Sequence, residues 1–320
     1  MGVDSVSIMY QETDPHIISV AICTRNRAHL LGRTLDALLS QSIGVATFEL
    51  LIVDNGSTDQ TGEFFRAYEE KFAVARYVIE PALGIANARN RALQEASGHY
   101  LVYVDDDAIP DPDWLARLLA PFDEDQPIPA CVVGKVELDW EGGRPEWIPA
   151  NYETLYARYD FGNTPRFLQK GDYLLTTNVA FDRRVLLVLG GFRTDLGHRG
   201  NNLLGGEDND IFNRLVSNGY RVWYEPAARV SHWTPRERQT RRWLIKRLFW
   251  DGATQPLLDY GTSCPRSRYL REMLRDLRRV FWITRTRASN LHRPDGRRDL
   301  FLEWVRQMGR LYMNGQLLLR

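Results

Sequence analysis

The stretch "HYLVYVDDDAIP" (99–110) limits most sharply what this chain can fold into, because strand-forming residues from Tyr100 to Val104 stop at three consecutive carboxylates, Asp105, Asp106 and Asp107. Adjacent like charges repel, so a folded chain keeps them only where water solvates all three or something positive sits against them. Two earlier apolar runs also end in polar turns: "IISVAIC" (17–23) leads into "TRNR", and "FELLIVDNGS" (48–57) ends in turn chemistry. Helical periodicity separates them. "RAHLLGRTLDALLSQ" (27–41) sets Leu30, Leu31, Thr34, Leu35, Leu38 and Leu39 on one face, and further helices are expected at 58–72, 85–97 and 111–122, with strands at 75–80 and 130–138. Alternating strands and helices build a mostly parallel sheet covered on both faces. Ligands then bind beyond the carboxyl ends of the strands, where the three polar tips gather.

With 320 residues, 44% of them hydrophobic, the chain can bury one large α/β core and carry an appendage. No apolar run approaches the roughly 18 residues of a membrane span, and the first residues lack the basic and apolar regions of a signal peptide, so a cytoplasmic protein is expected. Cys23, Cys131 and Cys264 are odd in number and far apart, which favours reduced thiols. The formal net charge of zero conceals an asymmetry: residues 1–235 hold 21 basic and 33 acidic residues, and residues 236–320 hold 20 and 8. The division therefore reads as an N-terminal tail (1–16), a main domain (17–235, its halves meeting at 138/139) and a basic helical extension (236–320).

Four stretches occur in order: "SVAICTRNR", "LLIVDNGSTD", "GIANARNRAL…YLVYVDDD" and "GGEDNDIFNRLVSNGYRVWYEPAARVSHW". Together they resemble an inverting glycosyltransferase of family 2 with the nucleotide-sugar-binding GT-A fold, over about residues 17 to 240. The resemblance implies a nucleoside-diphosphate-sugar donor, a UDP-sugar favoured, and an Mn²⁺ or Mg²⁺ cofactor that neutralises the departing diphosphate. It implies that Asp107 ligates the metal, with Asp105 and Asp106 completing the D-x-D motif near the ribose or the metal's water shell. His232 ends "AARVSHW", where related enzymes complete the metal site, and imidazole suits Mn²⁺. His16, His29, His99, His198 and His292 keep the ordinary structural reading. Asp208 is implied as the general base that takes the acceptor hydroxyl's proton, with Glu207 orienting acceptor or base. Carboxylates at a helix start are also favoured electrostatically in any protein.

The remaining candidates carry two readings each. Asp54 is placed at the nucleotide base by the resemblance, while the following Gly56-Ser57 fits an Asx-turn in this segment. Thr24 and Arg25 leave the first strand beside the nucleotide. Arg89 either reaches the diphosphate or lies on a helix surface. Gly206, with Gly205, allows close approach of backbone to substrate. Arg236 and Arg238 form a loop that can close over the diphosphate. Trp147 belongs to an aromatic insertion (139–162) that either stacks on sugar rings or packs a loop-rich region. Asn178 is expected on the acceptor side. The acceptor is a glycan, lipid-linked, peptide or small-molecule hydroxyl, and no nucleic-acid partner is expected.

A sugar nucleotidyltransferase would carry a Gly-rich loop after the first strand, which "CTRNRAHLLG" lacks, and a dehydrogenase would carry G-x-G-x-x-G. A noncatalytic sugar-nucleotide binder would be favoured by loss of the metal aspartate or the base, and both are present. In the extension, the helix at 268–287 places Leu270, Met273, Leu274, Leu277, Val280 and Phe281 on one face among arginines. It docks on the main domain, contacts a second subunit, or lies on an anionic membrane at the inner face; docking is the preferred expectation.

Overall fold

The computed structural model describes residues 18–123, 127–200, 202–261, 264–289 and 294–319, the side chains of 287–298 excepted. The expected tail at 1–16, with His16, and His292 lie outside the described residues. The first half alternates as its periodicity predicts: β1 (Ile18–Thr24), α1 (Ala28–Leu39), β2 (Phe48–Asp54), α2 (Thr61–Glu69), β3 (Ala75–Ile79), α3 (Ile85–Glu95) and β4 (Tyr100–Val104). Strands β3, β2, β1 and β4 are hydrogen-bonded in that order and all parallel. Every residue of β2 is buried, as it must be in a strand covered on both faces.

Beyond β4 the sheet becomes mixed. The chain continues through β5 (Ala108–Pro110), α4 (Trp114–Leu119), β6 (Cys131–Trp140), the short β7 (Arg166–Phe167), β8 (Asn178–Asp182), α5 (Arg183–Val188), α6 (Glu207–Ser217) and β9 (Val222–Thr234). Strand β8 lies antiparallel between β4 and β6. The insertion after β6 delivers the chain to the carboxyl ends of β4 and β6, so its next strand has to run back. Strand β9 is long and alternates buried with more exposed positions, the period of a half-buried strand. Its antiparallel pairing with β5 sets Ala108 opposite His232, and that register carries His232 to the aspartate turn.

Three helices follow: α7 (Arg241–Tyr260), α8 (Arg266–Ser289) and α9 (Pro294–Leu318). Leu244 and Leu248 of α7 and Leu302 and Val305 of α9 share a cluster with Ile148, Tyr152 and Tyr156 of the insertion. Helices α7 and α9 cross at two glycines. A Cβ on Gly252 would sit 1.9 Å from the Arg306 carbonyl oxygen, and one on Gly309 would sit 1.8 Å from that of Phe249. Only glycine permits that approach, and it holds α7 in place as a wall of the cavity described next. Among the described residues no helix is long and apolar enough to cross a membrane.

Candidate active site

At the tip of β1, Asn26 adopts a left-handed conformation, and its side chain accepts a hydrogen bond from the Thr58 backbone at 2.7 Å. This turn sends Arg27 back over the end of the sheet. Its Nη1 donates to Asp106 Oδ1 at 2.8 Å and to Asp107 Oδ2 at 2.6 Å. Thr24 Oγ1 donates to the other Asp106 oxygen at 2.6 Å. Arg238 Nη2 approaches Asp107 Oδ2 at 3.4 Å, and His232 Nε2 stands 3.2 Å from Asp107 Oδ1. Burial raises Asp106 above the usual carboxylate range, Arg27 opposing it. Burial would raise Asp107 too, but His232, Arg27 and Arg238 together hold it well below that range. The aspartates are thus met by cations, as their adjacency requires.

Asp105 is turned differently, accepting from Thr177 Oγ1 at 2.7 Å. Asp105, Asp107 and His232 each offer a ligand atom, all within 4.8 Å of one another. Two carboxylate oxygens and an imidazole nitrogen form a donor set for a Mn²⁺-like ion. The buried His232 Nδ1 has no hydrogen-bond partner among the described residues, so the ring's one polar contact here is that of Nε2 with Asp107, itself a member of the donor set.

The opposite wall is the start of α6. Gly206 takes a left-handed φ of 93°, and a Cβ there would meet Thr254 Cγ2 at 2.6 Å. Its missing side chain therefore makes room for α7, and Gly206 also lines the cavity. Glu207 is buried; its Oε1 accepts from Arg89 Nη1 at 2.6 Å, and its Oε2 has no hydrogen-bond partner among the described residues. Arg89 Nη2 also faces Asp105 Oδ1 at 3.7 Å, so one buried arginine links the two acidic walls. Arg89 is accordingly not a helix-surface residue. Asp208 receives a bond from the backbone of Asn209 at 2.9 Å. Burial, then the neighbouring Glu207, pushes it up to about 7.

These walls enclose a cavity of about 610 Å³ that also takes in Thr24, Arg25, Asn55 and Gly206. Its far side belongs to the basic extension: Trp243, Arg247, Asp251 and Gln255 of α7 line it. His198, an exposed residue, lines it as well, with Arg247 and Arg238 on the same lining. Arg27 and Arg247 were not among the expected site residues, and His198 was expected to be structural. Arg27 alone had a signal in the sequence, since it lies in the quoted "CTRNR" and three aspartates demanded a cation.

Several expected residues are used elsewhere. Asn178 does not face the acceptor side. It is fully buried, donating to the carbonyls of Lys135 and Ala228, both at 2.9 Å, and accepting from Trp114 Nε1 at 2.7 Å. The register of β6 against β9 shifts between Gly134 and Lys135, and the Asn178 amide satisfies carbonyls freed by that bulge. Trp147 packs against the α7–α9 cluster with Arg241 over its ring at 5.9 Å, off the cavity lining. Arg236 is exposed, its backbone held by Glu141 Oε2 at 3.0 Å, so of the two loop arginines only Arg238 reaches the cavity. Asp54 is buried at the β2 tip, accepting from the Ser57 backbone at 2.8 Å and from the Tyr77 hydroxyl, and does not line the cavity.

The sequence model described as Glycosyl transferase family 2 matches residues 19–187, more than half of the chain. A glucosyl-dolichyl phosphate glucuronosyltransferase of Haloferax volcanii is 26% identical over 263 residues, covering 80% of this chain and 83% of that protein. Validoxylamine A glucosyltransferase of Streptomyces hygroscopicus is 38% identical over 119 residues, covering 37% of this chain and 28% of that protein. Among solved structures, a mannosyltransferase from Pyrobaculum calidifontis in complex with GDP-Man and Mn²⁺ aligns with a TM-score of 0.53 at 22% identity, over 94% of this chain and 73% of that one. That likeness concerns the fold, which is of the GT-A type. With the strand order, the acidic tips and this match in agreement, the chain belongs to glycosyl transferase family 2 and is a glycosyltransferase.

Proposed function

We propose that the cavity takes a nucleoside-diphosphate sugar, a UDP-sugar first, and passes the sugar to an acceptor hydroxyl with inversion at the anomeric carbon. The observation that carries this reading is that Asp208, a carboxyl with a pKa near neutrality, opens a helix in the same cavity as the three aspartates and their arginines. Asp105, Asp107 and His232 would hold a divalent cation, Mn²⁺ or Mg²⁺. Bound there, it would offset the charge of the diphosphate leaving group. Arg27 and Arg238 face the same region and match phosphate oxygens.

Asp208 accepts the proton of the acceptor hydroxyl as its oxygen forms the new bond to the anomeric carbon. The bond from that carbon to the diphosphate breaks on the opposite side, and the nucleoside diphosphate leaves. Glu207, fixed by Arg89, keeps a charged neighbour beside Asp208 and holds it basic enough for this step. The relative that acts on a glucosyl-dolichyl phosphate makes a lipid-linked acceptor the first class to try. Titration calorimetry of UDP and GDP, with Mn²⁺ and with chelator, tests the donor side. Affinity should fall on the order of 100-fold in chelator, several kcal/mol being the usual worth of such a cation. Equal affinity in both conditions would remove the metal from the reading.

A further inference from the structure

The basic extension shows two unlike faces on α8. Its inner face is anchored on α9 through polar groups: Asp276 is fully buried, accepting from Asn314 Nδ2 at 2.7 Å and from Arg310 Nε at 3.4 Å. Tyr269 and Ile283 are buried on the same side, with Met273 and Val280 half-buried. The apolar stripe foreseen as a single docking face is therefore split. Leu270, Leu274, Leu277 and Phe281, spaced four, three and four residues apart, form one line along the outside. Phe281 is 70% exposed and the adjoining Trp282 is 63% exposed.

Exposed Arg271, Arg278 and Arg285 recur every seven residues and run beside that line, with Arg275 and Arg279 beyond them. An apolar ridge flanked by a guanidinium band matches the boundary between acyl chains and anionic headgroups, where leucines and aromatics insert and arginines pair with phosphate. A second protein surface would need acidic groups and an apolar groove in one register, whereas an anionic bilayer supplies both to any helix that lies on it. We propose that the outer face of α8 seats this enzyme on an anionic phospholipid bilayer. The proposal does not depend on which acceptor the cavity takes.

Flotation of the full chain with phosphatidylcholine vesicles, with and without phosphatidylglycerol, at low and moderate salt, tests it. The protein should float only with the anionic vesicles, and salt should weaken that binding. Neutralising Arg271, Arg278 and Arg285 to Gln should lower partitioning about fivefold for each arginine. Phe281→Ser with Trp282→Ser should lower it about tenfold or more by removing inserted apolar surface. All five positions are exposed, so UDP affinity and thermal midpoint should stay at the parent values. Absence of flotation on anionic vesicles, equal flotation on neutral ones, or unchanged partitioning in both variants would overturn the proposal. So would a dimer, seen by sedimentation without lipid, that the Phe281 and Trp282 substitutions dissolve, since a second copy would then cover this face.

Discussion

The two acidic walls of the cavity are both built on carboxylates, and Asp107 of one and Asp208 of the other behave oppositely. Asp106 and Asp107 are met by Arg27, His232 and Arg238, and Asp107 stays ionised far into acid. Glu207 is paired with Arg89, one of its oxygens has no partner among the described residues, and Asp208, raised by burial and by Glu207 against Arg89 and Arg247, keeps its proton up to about pH 7. Asp107 is set apart by the groups that face it, since His232, Arg27 and Arg238 lower it against its burial, whereas Asp106 beside it stays above the usual carboxylate range, as Asp208 does. A carboxylate that stays charged, as Asp107 does, suits a cation. A wall that exchanges its proton near neutrality suits general-base chemistry.

The sharpest way to break this contrast is Asp208→Asn, which keeps the shape and removes the base. Transfer should fall by about 10²–10⁴-fold, the usual worth of a positioned base, while UDP affinity with Mn²⁺ stays at the parent value. Near-normal turnover would move the role to another group, Glu207 first. A smaller effect is expected from Arg27→Gln. Asp106 and Asp107 would lose their principal cation, and because Arg27 is about one-third exposed the loss of stability should be about 1–3 kcal/mol, below that of a fully buried pair. Thermal melts in chelator and in Mn²⁺ check it: Mn²⁺ should raise the midpoint of the variant more than that of the parent. Equal shifts would detach Arg27 from the metal question.

A change of pH bears on the same contrast. Transfer should rise as pH increases through about 7, where Asp208 loses its proton, and a flat profile from pH 5.5 to 8.5 would contradict its assignment. Stability carries the opposite sign. The folded pKa lies above the ordinary 3.8, so the folded chain binds more protons than the unfolded chain between about pH 4 and 7, and stability falls as pH rises across that window. Asp208→Asn should therefore raise the melting midpoint at pH 8 and leave it nearly unchanged at pH 4. Equal shifts at the two pH values would show that the carboxyl is not held protonated.

What the sequence by itself determined is local in origin. Strand periodicity and turn residues placed β1, β2 and β4 and put their polar tips at one end of a sheet, and the ordered motifs identified the family. The tertiary structure decided which charges meet. Arg27 and Asp107 are 80 residues apart and Arg89 and Glu207 are 118 apart, so no short-range pattern records either pair. Asn178 fell to a bulge because a register shift appears only once β6, β8 and β9 are paired. The basic extension came to wall the cavity because two glycines let α7 and α9 close on each other, and Arg271, Arg275, Arg278, Arg279 and Arg285 of α8 face outward because Asp276 is the side that α9 buries. Propensity acts over a turn or two of chain, whereas burial and charge compensation act between surfaces that exist only after the chain has packed.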